Sequence, residues 1–243
     1  WAVGQPNGGR AENGIDIRRS GNGIYGPDAM NDRVVIGQQG QGNTFTNNGQ
    51  AGLFILNANS IMPMMDPVLF DVDITDNTFT ENMDGIVLQG QADARFIGNV
   101  SDNEFNMNTQ DGIRVTLQQS ATLGDPTPGS DPFLIDGNQI IDSGRHGIFF
   151  DVNFSNPVQS FAFANALIEE SAFDGTRTLI QGSGSNGIRV VDNSGLNSGM
   201  NEVGQNTYTV HQTDIMNSGL SGILFNNATA GGTEIPNGGH ALI

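Results

Sequence analysis

A short block of residues recurs along the chain. Each copy starts with a polar residue, usually Asn, carries Phe or Ile two residues later, and ends in Gly followed by apolar residues at alternate positions. The copies that define this form read NTFTNNGQAGLFIL (43–56), NTFTENMDGIVLQG (77–90), NEFNMNTQDGIRVTL (103–117), NQIIDSGRHGIFFDV (138–152) and TDIMNSGLSGILF (213–225). Recurrence of one block predicts a repeat architecture in which each copy packs on its neighbours.

The spacing of the copies favours strands over helices. Seven glycines precede the apolar bursts, namely Gly14, Gly52, Gly85, Gly112, Gly147, Gly187 and Gly222. Their separations vary from 27 to 40 residues, whereas helical repeats keep a nearly fixed period. Apolar residues occupy the first and third positions after each glycine, and this period of two is typical of a strand with one buried face. The pattern therefore predicts stacked strands joined by loops of unequal length.

Further strands and ordered corners are expected between these blocks. Alternating apolar residues predict strands at 70–75, 95–100, 132–136 and 160–168. In parallel strands stacked roughly 4.8 Å apart, equivalent residues form columns. Two polar columns are expected at corners, one of Asn43, Asn77, Asn103 and Asn138 and one of Asn48, Asn82, Asn108, Ser143 and Ser218. The core beside the corner is expected to hold Phe45, Phe79, Phe105, Ile140 and Ile215.

Over about residues 40–226 the pattern resembles the right-handed parallel β-helix repeat of the pectate-lyase-like superfold. The resemblance implies an all-β fold, a right-handed parallel β-helix (β-solenoid) of about seven to eight coils, forming one domain over residues 1–243. Loop insertions are expected at 57–68, 119–132 and 192–206. The superfold includes lyases, hydrolases, epimerases, tailspikes, adhesins and structural fibres, so the fold alone assigns no function.

The charge of the chain excludes some partners. There are 26 acidic and 9 basic side chains, all the basic ones are Arg, and the net charge is −17. Such a surface repels nucleic acid and anionic lipid, so neither is expected as a partner. No apolar run is long enough for a membrane span, and there is no cysteine for a disulfide or thiolate metal site. The start WAVGQPNGG predicts a segment of a longer precursor.

A candidate catalytic site lies in the column of residues directly before the anchoring glycines. This column is expected to face outward, and it places Asp84, Asp111 and His146 on three consecutive coils with Arg114 near by. Carboxylates on adjacent coils would be separated by about one strand spacing, close to the roughly 5–5.5 Å of retaining glycosidases. Asp and Asn before Gly are also ordinary turn residues that bond the local backbone. Both interpretations remain open.

The lyases of the superfold suggest a different use of the same column. By that resemblance, Arg114 or Arg189 would be the base, with Ca²⁺ held by Asp84 and Asp111. Lys bases are absent because the chain has no Lys. The polygalacturonase-like motifs are also missing, since the chain has only GRHG at 144–147 and no Asp-Asp pair.

A structural calcium site is a separate hypothesis. The segment DVDITDN places Asp71, Asp73 and Asp76 close together, and Asp71 and Asp73 would share one face of a strand. Carboxylates are ligands that a hard cation prefers. Calcium is therefore a candidate ligand, and no other cofactor is required by the sequence.

Two classes of function follow. The first is a non-enzymatic extracellular or cell-surface module, structural or adhesive, which associates with itself end to end or laterally into a fibre or binds a cell-surface polysaccharide. The C-terminal GGHALI, which restarts the glycine pattern at Gly239 with Ala241 and Ile243 and then stops, favours end-to-end joining. The second class is a polysaccharide lyase or glycoside hydrolase, or a tailspike-like glycan binder, acting on acidic polysaccharide through the Asp84, Asp111 and His146 column.

Overall fold

The protein is built from parallel β-strands. The computed structural model describes residues 12–21, 32–59, 68–92, 94–125, 131–153, 162–193, 206–227 and 240–242. Within these ranges there are 21 strands in three parallel sheets and no helix. No helix able to cross a membrane is therefore found in the described part of the chain. The predicted all-β architecture of stacked parallel strands is confirmed.

Each sheet collects one strand type from successive repeats. Sheet 1 consists of Ile15–Gly21, Ala51–Asn59, Asp84–Gln91, Ile113–Gln118, Ile148–Asn153, Ile188–Asp192 and Ile223–Asn227. Sheet 2 consists of Asp32–Ile36, Val68–Thr75, Ala94–Ser101, Thr122–Leu123, Phe133–Asp136, Phe163–Glu169, Thr207–Val210 and His240–Leu242. Sheet 3 consists of Thr44–Thr46, Thr78–Thr80, Glu104–Asn106, Gln139–Ile141, Thr178–Gln181 and Thr213–Met216.

The chain passes through sheet 1, sheet 2 and sheet 3 in turn and then returns to sheet 1. The registers align the repeated block, so that Leu53 pairs with Ile86 and Ile86 pairs with Ile113. The unequal spacers fall mainly between sheets 1 and 2, and one divides a sheet 2 strand after Leu123. The expected insertions lie at these places, except that Thr122–Leu123, within the insertion predicted at 119–132, is a strand of sheet 2. Most of the remaining insertion residues are outside the described ranges.

The inner faces of the three sheets form one apolar core. Its central members come from the first and third positions after each glycine in sheet 1 and from alternate positions of sheet 2. Phenylalanines of sheet 3 complete it, with ring centroids 4.8 Å apart for Phe45 and Phe79 and 5.0 Å apart for Phe79 and Phe105. These separations match the strand spacing of about 4.8 Å, so stacking of repeats also stacks the rings.

The anchoring glycines are required by the close approach of neighbouring strands. A Cβ at Gly112 would lie 2.6 Å from Ile140 Cγ2 and 2.8 Å from the Gly147 carbonyl oxygen. At the last copy, Gly222, the nearest atom among the described residues would be Ile215 Cγ2 at 3.7 Å, which is ordinary contact. The glycine is therefore needed where another repeat stacks above it.

The asparagines of the two polar columns form hydrogen-bonded ladders, as predicted, whereas the buried hydroxyl oxygens of Ser143 and Ser218 have no hydrogen-bond partner among the described residues. Asn82 Oδ1 accepts from both the backbone N–H (3.0 Å) and the Nδ2 (2.7 Å) of Asn48. Asn82 Nδ2 in turn donates to the Phe45 carbonyl oxygen and to Asn108 Oδ1. The residue before most members, such as Glu81 at φ 56°, is left-handed. The amide side chains thus satisfy backbone groups that a sheet cannot reach at a turn.

Two details of the sequence-based interpretation are wrong. The Asn-x-Phe segments were expected to be corners, but residues such as Thr78–Thr80 form short strands of a third sheet. Segments of three residues are too short for a period of two to be recognised. The C-terminal GGHALI was expected to restart the glycine block of sheet 1, whereas His240–Leu242 pairs with the sheet 2 strand Thr207–Val210. Gly239 and Ile243 lie outside the described residues.

Candidate functional site

The column that precedes the sheet 1 glycines is buried, which corrects the expectation that it faces outward. Asp84, Asp111, His146 and Asn186 follow one another along the stack, and none is more than 6% exposed. The structure therefore brings the three proposed catalytic residues together, but beneath the surface.

Three members of the column, Asp84, Asp111 and His146, each accept a hydrogen bond from the backbone of the next repeat, whereas the buried Oδ1 of Asn186 has no hydrogen-bond partner among the described residues. Asp84 Oδ1 accepts the Asp111 N–H at 3.0 Å, and Asp111 Oδ1 accepts the His146 N–H at 3.2 Å. His146 Nδ1 accepts the Asn186 N–H at 3.3 Å. The side chains thus satisfy N–H groups at the entrance to sheet 1, which is the turn-residue role that the sequence left open.

Asp111 is also the partner of an arginine. Arg145 donates to its two carboxylate oxygens, from Nε at 3.1 Å and from Nη2 at 2.6 Å. This bidentate pair raises the pKa of Arg145 through its hydrogen bonds to Asp111. Because the carboxylate is fully buried and the guanidinium is partly exposed, Arg145 covers Asp111 from the solvent side.

Asp84 holds its proton more tightly than an ordinary carboxyl group. Burial raises its pKa to about 6, and the negative charge of Asp111 acts in the same direction. The hydrogen bond from the Asp111 backbone and the charges of Arg114 and Arg145 oppose this shift. Desolvation prevails because the carboxyl group lies almost completely inside the stack.

His146 is held as a neutral imidazole. Burial lowers its pKa, an effect that the charge of Asp111 opposes. Because Nδ1 accepts the Asn186 N–H, we place the proton of the neutral ring on Nε2. That nitrogen lies 3.5 Å from Nη1 of Arg189, so two donors face each other.

An arginine cluster around Phe149 covers this column on the outer face of sheet 1. Arg114, Phe149 and Arg189 are paired across three adjacent strands. The guanidinium carbons of Arg114, Arg145 and Arg189 lie 5.7, 5.2 and 5.6 Å from the ring centroid. Phe149 was not among the predicted site residues, although its position two residues after the anchoring glycine matches that of Arg114 and Arg189. Comparing equivalent positions of the repeats would have found it.

The residues of the predicted calcium site have other partners. Arg33 lies 3.7 Å from Asp71 and 3.3 Å from Asp73, measured between the charged atoms. Asp76 has a φ of 64° and accepts a hydrogen bond from the Gly40 N–H. No group of three acidic or histidine side chains among the described residues could hold a metal ion. Calcium binding by Asp71, Asp73 and Asp76 stays a prediction from the sequence.

An acidic groove of 340 Å³ lies at the junction of sheets 2 and 3, away from the candidate column. Asp76, Asp102 and Glu104 line it. Burial raises the pKa of Asp102, and the nearby charges of Asp136, Asp174 and Asp76 add to the shift, while a hydrogen bond from Ser171 opposes it. The groove is therefore a region of mutual carboxylate repulsion.

The chain was compared with protein-family models, with curated proteins and with solved structures, and none of the three comparisons gave a match. Function is therefore inferred from the hydrogen bonds, charges and burial of the described residues.

Proposed function

We propose that the protein is a non-enzymatic structural or adhesive β-solenoid module that acts outside the cell or at the cell surface. The observation that carries this proposal is the use of Asp84, Asp111 and His146 as acceptors for backbone N–H groups of the next strand. The need for an acceptor at this place in the stack gives each of these polar side chains a structural role. No reaction is needed to explain it.

Burial of the column also supports a non-enzymatic role. A general acid or base must come within hydrogen-bond reach of its substrate, directly or through one water molecule. Asp111 and His146 have no exposed surface. A substrate would reach them only after Arg145 and its neighbours had moved.

The solenoid that we propose is right-handed and has about seven turns. Parallel strands joined by a crossover connection are right-handed in nearly all proteins, because the twist of the strands favours that hand. The seven strands of sheet 1 support the number of turns. Each turn would then contribute one strand to each sheet.

Self-association end to end is part of the proposal. Ile15 and Ile17 at the first strand of sheet 1, and Ile223 and Phe225 at the last, are only partly buried although they pack against the core. Terminal strands of a parallel stack present unpaired backbone groups along one edge. A second copy that continues the stack would cover both, and repeated head-to-tail contact produces a filament.

Negative-stain electron microscopy of the purified protein over a range of concentrations tests this assembly. We expect rods that lengthen into filaments of constant diameter as concentration rises. Deletion of residues 239–243, which removes the strand partner of Thr207–Val210, is expected to shorten them. Discrete particles of one length at every concentration would contradict end-to-end assembly.

A polysaccharide lyase or glycoside hydrolase is the second candidate, and one observation favours it. The raised pKa of Asp84, about 6, beside Arg114 and Arg145 is a combination that active sites use. Incubation with a panel of uronate and neutral polysaccharides separates the candidates. The structural proposal expects neither new reducing ends nor unsaturated uronates, and turnover that disappears in Asp84→Asn would instead establish the enzyme.

A further inference from the structure

Three of the nine basic side chains of this acidic protein meet at one aromatic ring. Arg114, Arg145 and Arg189 surround Phe149 at 5.2 to 5.7 Å from its centroid. Cation–π attraction stabilises each guanidinium, but three like charges around one ring also repel one another. The charges of Asp111, Asp84 and Asp151 offset part of the positive charge of the cluster.

The three arginines differ in how they are neutralised. Arg145 is paired with Asp111. Arg114 and Arg189 form no ion pair with any carboxylate of the described residues, whereas the ion-paired arginines there include Arg18, Arg33, Arg95 and Arg177. In a chain with 26 acidic side chains, two arginines on either side of one ring that have no carboxylate of the described residues within ion-pair distance are a specific arrangement.

The guanidinium of Arg189 also has N–H donors without a hydrogen-bond acceptor among the described residues. Its Nε is buried and has no acceptor in the described structure. Its Nη1 lies 3.5 Å from His146 Nε2, which carries a proton when Nδ1 accepts the Asn186 N–H. A guanidinium that faces another donor gains nothing from that contact, so an acceptor from outside the chain would stabilise it.

We propose that Arg114, Arg145 and Arg189 form a binding site for one oxyanion, a carboxylate or sulfate group carried by a small ligand. Guanidinium groups bind both oxyanions through paired N–H donors. The anion would lie on the outer face of sheet 1 above Phe149, where it contacts the half-buried Arg114 and Arg189 and the exposed side of Arg145. The site does not depend on the non-enzymatic function proposed above.

The overall charge limits the size of the ligand. A net charge of −17 repels an extended polyanion at distances up to the Debye length of roughly 10 Å at 0.1 M salt. A small anion with one or two charges experiences less of this repulsion and more of the local field of the arginines. The site therefore favours a compact ligand over nucleic acid.

Nuclear magnetic resonance titration of the full chain is the test, with sodium galacturonate and sodium sulfate as probes. We expect saturable shifts of the amides around Phe149 and of the Arg189 Nε–H, with a dissociation constant on the order of 1 mM. Response to galacturonate alone assigns a carboxylate ligand, response to sulfate alone assigns a sulfate ligand, and response to both supports the shared chemistry. Galactose and matched sodium chloride are the controls, and equal shifts with either would overturn the proposal.

Charge-matched variants make the test specific. Arg189→Gln is expected to weaken binding about tenfold, whereas Arg177→Gln, which removes the same charge on sheet 3, should leave the affinity within about twofold. Unchanged affinity of Arg189→Gln, or absence of binding to the wild-type protein at about 20 mM probe, would overturn the site. If Arg189→Gln does not fold, Arg114→Gln on the other side of Phe149 decides the question by the same criterion.

Discussion

At the entrance to sheet 1, residue identity is governed by the need for a hydrogen-bond acceptor. Asp84, Asp111 and His146 differ in charge and shape, yet each accepts the backbone N–H of the following repeat. At an earlier position Asn13 Oδ1 does the same for the Ala51 N–H. A neutral acceptor such as Asn is therefore sufficient at this position, and the negative charge of an aspartate is not required for the hydrogen bond.

Asp84→Asn tests the energetic cost of that charge. The folded pKa of about 6 lies above the ordinary aspartate value of 3.8, so the native state binds the proton more tightly and stability falls as pH rises between these two values. We expect the variant to exceed the wild type in free energy of unfolding by on the order of 1–3 kcal/mol at pH 7.5. By pH 4 most of this difference should be lost, because the carboxyl group is then neutral in the folded state and about half protonated in the unfolded state.

Urea unfolding at the two pH values measures this difference. Asp214→Asn is the control, because Asp214 is a half-exposed carboxylate paired with Arg177 at the surface. Between the two pH values, the effect of Asp214→Asn on the free energy of unfolding should differ by less than about 0.5 kcal/mol. Equal differences at pH 4 and pH 7.5 for Asp84→Asn would show that ionisation of Asp84 is not the cause.

Two glycines of the same motif are predicted to respond differently to substitution. Gly112→Ala places a Cβ 2.6 Å from Ile140 Cγ2, while in Gly222→Ala the nearest atom is 3.7 Å away. We expect Gly112→Ala to lower the free energy of unfolding by roughly 1–3 kcal/mol and Gly222→Ala to change it by less than about 0.5 kcal/mol. Chemical denaturation of both variants checks this, and equal losses would contradict stacking as the reason for the glycine.

The sequence located the residues of the candidate site but not their environment. The repeat placed Asp84, Asp111 and His146 in one column because their offset from the glycine is the same. Exposure depends instead on which long side chains bend across the column, and Arg145 covers Asp111 through a contact between different repeats. Spacing along one chain does not determine such contacts.

Among the larger elements, the asparagine ladder is expected to contribute strongly to stability. Asn82→Ala would leave the Asn48 N–H, the Asn48 Nδ2 and the Phe45 carbonyl oxygen without this partner inside the stack. Each unsatisfied buried group costs about 1–3 kcal/mol, although relaxation and water recover part of it. We expect a total loss of roughly 2–4 kcal/mol by urea unfolding.

Asn106→Ala is the matched control for the ladder, because Asn106 occupies the outer face of sheet 3 next to the buried Phe105. Its replacement should change the free energy of unfolding by less than about 0.5 kcal/mol. Similar losses in the two variants would mean that the ladder adds nothing beyond the intrinsic effect of an Asn to Ala change.

Sheets 1 and 2 could be predicted from the sequence, whereas sheet 3 could not. Strands such as Val68–Thr75 and Ala94–Ser101 are long enough to show alternation of buried and exposed positions. Thr78–Thr80 has one buried position and two partly exposed ones, which a turn would also produce. Its strand character is evident only from pairing with Glu104–Asn106, a contact between repeats.

For the whole molecule, the net charge of −17 predicts stabilisation by salt. Mutual repulsion of the surface carboxylates is screened when the Debye length falls from about 10 Å at 0.1 M to about 3 Å at 1 M salt. We expect the melting temperature to rise between these concentrations of sodium chloride. Calorimetry measures it, and a constant or falling value would contradict the prediction.

Divalent cations extend the salt experiment to the calcium hypothesis. Screening alone predicts that Ca²⁺ and Mg²⁺ raise the melting temperature equally at equal concentration. A larger rise with Ca²⁺ that Asp73→Asn abolishes would place a calcium site at Asp71, Asp73 and Asp76. An equal rise would leave charge screening as the full explanation.

The role of the buried column is tested most directly by the free energy of unfolding of Asp111→Ala, measured with urea at pH 7.5. If Asp111 serves the stack, its removal takes away the acceptor of the His146 N–H and the partner of Arg145, and stability should fall by roughly 2–4 kcal/mol. Asp111→Asn, which keeps an acceptor, should lose less. A variant Asp111→Ala as stable as the wild type, or more stable, would contradict the structural role and favour a site kept for chemistry at the expense of stability.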